Sequence, residues 1–174
     1  GGFDAKIGSL KAKLNVRGNE LYPSLCEDLS VEFKQIGSLV LAFDEDEKRH
    51  IEDLYNRGVK NHVNGLRLLD HEEVMNIEPN VNKNVVGALL CESAGIVCPF
   101  NLNVALMENA INNGVELKLQ SEVLDIRKDN EHFNIELVNN SNIKAKYVIN
   151  AAGVYADKIN NMIGGNEYYI TARK

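Results

Sequence analysis

Tyr147-Val148-Ile149-Asn150-Ala151-Ala152-Gly153-Val154-Tyr155-Ala156-Asp157 is the stretch on which the reading of this chain turns. Three apolar residues of strand type run into a set of small side chains, and helix-forming composition follows. Small side chains let a backbone lie directly against a neighbour, and the start of a helix offers free N–H groups to an anion. The residues alone leave two readings evenly open: a backbone wall beside a ligand, or close strand–helix packing with no ligand.

Upstream of this stretch, Glu116–Leu119, Glu122–Arg127, Phe133–Val138 and Ile143–Ile149 have strand composition. The polar turns Lys128-Asp129-Asn130 and Asn139-Asn140-Ser141-Asn142 separate the last three, which predicts a β-meander. Pro99-Phe100-Asn101 opens a helix with Leu102, Ala105, Leu106, Ala110 and Ile111 on its apolar side and Gly114 at its C′ position. A short helix is expected from about Tyr155 to Met162.

In the first half, Ser9 is a candidate N-cap for a helix whose Leu10, Leu14, Leu21 and Leu25 share one stripe, and Pro23 is expected to kink or restart it. Phe33–Phe43 reads as one long strand with a bend or close approach at Gly37. Asp44 with Glu47, and Asp70 with Glu73, carry the spacing of capping boxes. The helix after Asp44 presents Ile51, Leu54 and Tyr55 on one face and ends near Gly58 or somewhat later; Pro79 ends the helix after Asp70. Leu66–Leu69 and Val85–Cys91 are strands. This order predicts an α+β fold in two layers or lobes.

The 174 residues are 44% hydrophobic and 25% charged, with a net charge of -6, so an acidic surface argues against nucleic acid as a partner. No apolar run approaches the ~20 residues of a membrane span, and no signal-peptide core opens the chain, so a cytoplasmic protein without a transmembrane segment is expected. Cys26, Cys91 and Cys98 read as reduced, buried thiols, and no metal site is expected, because Cys91 and Cys98 lack further ligands nearby. His50, His62, His71 and His132 stand in polar surroundings and read as surface residues. Arg67 reads as an outward strand position, Lys11, Lys13 and Arg17 as the wet face of the first helix, and Asp4 and Lys6 as parts of a solvated loop.

YVINAAGVYAD (147–157) resembles the segment that closes over the flavin in the D-amino-acid-oxidase-like superfamily of FAD oxidoreductases. PFNLNVALMENAINNGVELKLQSEVLDI (99–126) resembles the helix and two strands that precede that segment. GGFDAKIGSLKAKLNVRGNELYPSLCEDL (1–29) resembles the loop and helix after the superfamily's first dinucleotide-binding unit, above all in its glycerol-3-phosphate and L-2-hydroxyglutarate dehydrogenase branches. The departure is that no GxGxxG occurs anywhere in the 174 residues.

The resemblance therefore implies an internal fragment with an incomplete FAD/NAD(P)-binding fold: an α/β-like flavin-lobe remnant plus a substrate-domain sheet with helices. Residues 1–22 and 96–163 would belong to the FAD-binding domain, and 23–95 and 164–174 to the substrate-binding cap. It implies cofactor contacts at Gly1 and Gly2 near the flavin ring, at Val123 through its backbone to the adenine, and at Ala151, Ala152, Gly153 and Ala156. No catalytic residue is assigned. The implied activity of a full-length parent is oxidation of a secondary alcohol, glycerol 3-phosphate first and an L-2-hydroxyglutarate-type hydroxy acid second, by hydride transfer to FAD. The fragment alone would be inactive and free of FAD, with apolar surface exposed for a possible homodimer. The competing class is a non-redox binding module, which the missing GxGxxG favours.

Overall fold

The computed structural model describes residues 2–166 and 168–171. The chain divides into two compact units, Gly1–Val115 and Glu116–Lys174. Helices are combined with small antiparallel sheets, the α+β class that the sequence order predicts.

The first unit contains α1 (Leu10–Asp28), β1 (Phe33–Lys34), β2 (Ser38–Ala42), α2 (Glu45–Lys60), β3 (Leu66–Asp70), α3 (His71–Ile77), β4 (Gly87–Cys91), β5 (Ile96–Val97) and α4 (Pro99–Asn112). A capping side chain starts α1, α2 and α3. The Ser9 side chain accepts the Ala12 N–H at 3.2 Å. Asp70 and Glu73 form a reciprocal capping box, at 2.9 Å from the Glu73 N–H and 3.1 Å from the Asp70 N–H. At α2 the box is displaced: Asp44 accepts the Glu47 N–H at 2.8 Å, but the Glu47 carboxylate takes the Phe43 N–H at 2.7 Å. Gly114, with φ at +89°, closes α4 in a Schellman arrangement, its N–H on Ile111 O and that of Val115 on Ala110 O.

The core is the sheet β2-β4-β3, all antiparallel, with Leu39, Leu90 and Arg67 in one cross-strand row and Val40, Leu89 and Leu68 in the next. Alternation sends the two sets of side chains to opposite faces. One face packs with Ile51 and Leu54 of α2, the other with Val74 of α3. Every residue of β4 is buried, as befits a central strand covered on both sides.

Four expectations are corrected here. The Phe33–Phe43 strand is two strands in two different sheets, broken at Gly37, whose φ of +75° no strand accommodates. Pro23 does not restart α1: the helix runs unbroken from Leu10 through Pro23 to Asp28, because one missing donor removes only one bond of the ladder. The leucine stripe of α1 exists but is not its buried face: Leu10 and Leu14 are 70% and 60% exposed, and Ala12 and Cys26 are buried instead. Cys98 is exposed, unlike Cys26 and Cys91.

The second unit is the meander β6 (Val123–Lys128), β7 (Phe133–Leu137) and β8 (Asn142–Ala145), followed by a 3-10 turn at Gly153–Tyr155 and α5 (Ala156–Met162), which packs on β6. Ile126, Ile135 and Ile143 align across the sheet. The segments Glu116–Leu119 and Tyr147–Ile149, expected as strand, join no sheet. Among the described residues no helix is long and apolar enough to cross a membrane.

Candidate functional site

The turn from Asn150 to Ala156 is built by one side chain. Asn150 accepts the Ala152 N–H at 3.2 Å and donates to the Ala156 carbonyl at 2.8 Å, so its carboxamide spans the bend. Gly153 then enters the left-handed region with φ at +55°, and the Tyr155 N–H closes the turn on Ala152 O at 3.0 Å. No atom lies within 4 Å of where a Gly153 Cβ would stand, so conformation rather than crowding demands glycine there. At the start of α5, Asp157 accepts the Ile170 N–H at 3.1 Å and the Lys158 N–H at 2.8 Å. The Ile170 bond, first among the causes, holds the Asp157 carboxyl below the ordinary aspartate value.

Beside this turn lies a cleft of about 540 Å³ lined by Glu122, Val123, Ala152, Tyr155, Lys158, Ile159 and Met162. Its floor is irregular for a reason. The β6–β7 register shifts between Val123 and Asp125, and such a bulge leaves backbone out of the ladder next to Val123. The Lys158 ammonium stands 5.0 Å from the Tyr155 ring centroid, a cation–π pair on the cleft wall. Apolar Ile159 and Met162, a flat ring, a small Ala152 and one cation can take a planar aromatic ligand with polar substituents.

Two of the residues singled out from sequence, Val123 and Ala152, thus line one cleft. Ala151, Gly153 and Ala156 belong to the adjoining turn and do not line it. Gly2 lies in the first unit with φ at +104°, and a Cβ there would stand 3.1 Å from Val16 Cγ2. Gly1 lies outside the described residues. Asp4 is exposed and pairs with Lys11 at 3.7 Å, while Arg67 points outward onto Glu73 and Glu92 at 3.0 and 3.5 Å. Sequence reading passed over Asn150, Tyr155 and Lys158. The signal was present: an Asn opening a small-residue turn, and an aromatic and a lysine three positions apart on one helical face.

The description "FAD dependent oxidoreductase" (DAO) belongs to the family model that matches residues 1–174. The chain belongs to this family. It is 46% identical over 173 residues to the glycerol 3-phosphate dehydrogenase of Caloramator mitchellensis, covering 99% of this chain and 36% of that protein. It is 31% identical over 176 residues to the mitochondrial L-2-hydroxyglutarate dehydrogenase of Bos taurus, covering 95% of this chain and 38% of that protein. Among solved structures of the family, the dithionite-reduced L-alpha-glycerophosphate oxidase of Mycoplasma pneumoniae with FAD bound superimposes with a TM-score of 0.86 at 28% identity. That match covers 97% of this chain and 45% of the other. The chain therefore spans less than half the length of these relatives.

Proposed function

We propose that this chain serves in an FAD-dependent dehydrogenase that oxidises the secondary alcohol of glycerol 3-phosphate. The observation that carries the reading is the 46% identity, along nearly the whole chain, to a glycerol 3-phosphate dehydrogenase. Bound FAD would supply the acceptor for the hydride leaving the substrate carbon. The chain's own residues would bind and orient that group.

The cleft at Val123 and Ala152 supports this. Its volume of about 540 Å³ falls within the range of roughly 300–1,000 Å³ usual for small-molecule and cofactor sites. In this reading Val123 and Ala152 form two walls around the adenine end, with Tyr155 and Lys158 beside them. Ala151, Gly153 and Ala156 keep the turn thin, and Gly1 and Gly2 serve near the flavin ring. Residues 1–22 and 96–163 then act as the cofactor-binding part, and 23–95 and 164–174 as the substrate-binding part, of a cytoplasmic enzyme.

A second reading, oxidation of an L-2-hydroxyglutarate-type hydroxy acid, is favoured by the 31% identity to that dehydrogenase over 95% of the chain. The two substrates differ in carrying a phosphate or a second carboxylate. The test is bleaching of the visible flavin band of the full-length protein under anaerobic conditions. Glycerol 3-phosphate is expected to reduce it with kcat/KM about 100-fold or more above L-2-hydroxyglutarate, because a site built for one polar group rejects another. The reverse preference would transfer the function to the second reading. A colourless protein that FAD does not reconstitute would end both.

A further inference from the structure

Among the described residues one polar side chain is buried: Asn61, 8% exposed. It caps α2 and its backbone is fixed by a Schellman arrangement, with His62 N–H on Val59 O, Val63 N–H on Gly58 O and His62 at φ +61°. Its carboxamide turns away from the helix to a segment more than fifty residues earlier. Nδ2 donates to Gly2 O at 3.0 Å and to Ala5 O at 2.9 Å, while Oδ1 accepts the Gly8 N–H at 3.4 Å. The loop so held has no regular structure of its own and carries glycines with positive φ at both ends, Gly2 and Gly8. Arg57 adds a bond to Asp4 O at 3.1 Å, and Phe3 sits against Gly58.

A planar carboxamide is the one side chain of this size that presents two donors and an acceptor together. Leucine would take the Asn61 donor from both carbonyls, leaving Gly2 O only its 3.4 Å bond from the Ala5 N–H, and aspartate would face the two with a third acceptor. Either change strips the buried Ala5 carbonyl of its Asn61 partner, which is costlier than losing a contact at the surface. We infer that Asn61 is the positioning residue of the Gly2–Gly8 loop, setting the conformation in which Gly2 meets the cofactor. The inference rests on the proposed role of Gly2 in the flavin site.

The experiment uses the full-length protein with FAD and the variant Asn61→Asp. Three readouts are taken: amide exchange at residues 2–8 and in β2–β4, the flavin visible spectrum, and FAD affinity by titration. Expected are exchange about tenfold faster in the loop with the sheet unchanged, FAD affinity about tenfold weaker, and a shifted flavin band, in line with the net worth of one or two hydrogen bonds. Should Asn61→Asp not fold, Gly8→Ala tests the same loop: it strains a φ of +71° where a Cβ meets open space. A loosened loop with unchanged flavin spectrum and affinity makes Asn61 merely structural and overturns the inference, as does a loop whose exchange stays at the wild-type rate. If the wild-type protein itself takes up no FAD, the proposed function falls and this inference with it. Failure of the inference alone shows instead as a flavin-loaded wild type and an equally loaded variant.

Discussion

The two units bury their apolar residues very differently. Among the described residues, all of the buried apolar side chains except Ile126 and Leu137 lie in the first unit, where α2 and α3 cover both faces of β2-β4-β3. Among the described residues of the second unit, one sheet face is polar, with Asp125, Arg127, Asn134, Glu136 and Asn142 together, and α5 packs on β6. There the strand-like segments around Leu119 and Ile149 stay unpaired, and Ile149 is 91% exposed. The lesson is that strand composition does not make a strand. β-propensity is chiefly a matter of fitting a pleated surface with neighbours on both sides, and a segment without a ladder partner keeps its apolar side chains in water.

This contrast can be broken most readily at its strong end. Leu89→Ala, at a fully buried position of β4, is expected to cost about 3 kcal/mol and to lower the first unit's urea midpoint, with exchange in β6–β8 unchanged. A loss spread equally over both units would show that they are not separate cooperative blocks. Gly58→Ala comes next. Its Cβ would meet Leu66 Cδ1 at 2.4 Å and Phe3 Cβ at 2.8 Å. Overpacking of that kind outweighs the helix-propensity gain of about 1 kcal/mol, for a net loss of about 1 kcal/mol by thermal unfolding. A stabilised variant would mean that Phe3 yields freely.

In the second unit the effects are smaller. Ile149→Ser is expected to change stability by no more than about 0.5 kcal/mol in the 174-residue chain, because it removes little buried surface. A large loss would show that something packs on Ile149. The smallest effect concerns pH. Asp157 has its carboxyl value lowered on folding, so its contribution is present above the ordinary aspartate value of about 3.9 and is lost as pH falls through the folded value. Wild type and Asp157→Asn should therefore differ above about pH 4 and converge on acidification. A gap that widened in acid would reverse the sign of the argument.

What could be read from sequence follows the same division. The caps at Ser9, Asp44, Asp70 and Gly114 were legible because their partners lie within a turn of them. So were the strands β3, β4, β6 and β7, whose composition and turn spacing agree with the pairing they found. The split at Gly37 was half legible: the glycine marked a bend, but which sheet each half would join depends on β4 and β5, far along the chain. The exposure of Leu10 and Leu14 was not legible, since periodicity identifies a stripe but not what covers it. Nor was Asn61, whose three partners are 53 to 59 residues away; a lone asparagine after a helix reads as an ordinary cap. In the candidate site, the small-residue run drew attention to Ala152, while the aromatic and lysine beside it were not singled out.

The central claim is that the Val123–Ala152 cleft receives part of the flavin cofactor. It is tested most directly by titrating FAD into the full-length apoprotein, wild type and Ala152→Trp, and following the quenching of flavin fluorescence. The account expects one FAD per wild-type chain and an affinity at least about tenfold weaker in the variant, since an indole would obstruct the cleft at Ala152 while the polar face of the sheet and the first unit stay intact. Equal FAD affinity in the two proteins would contradict it.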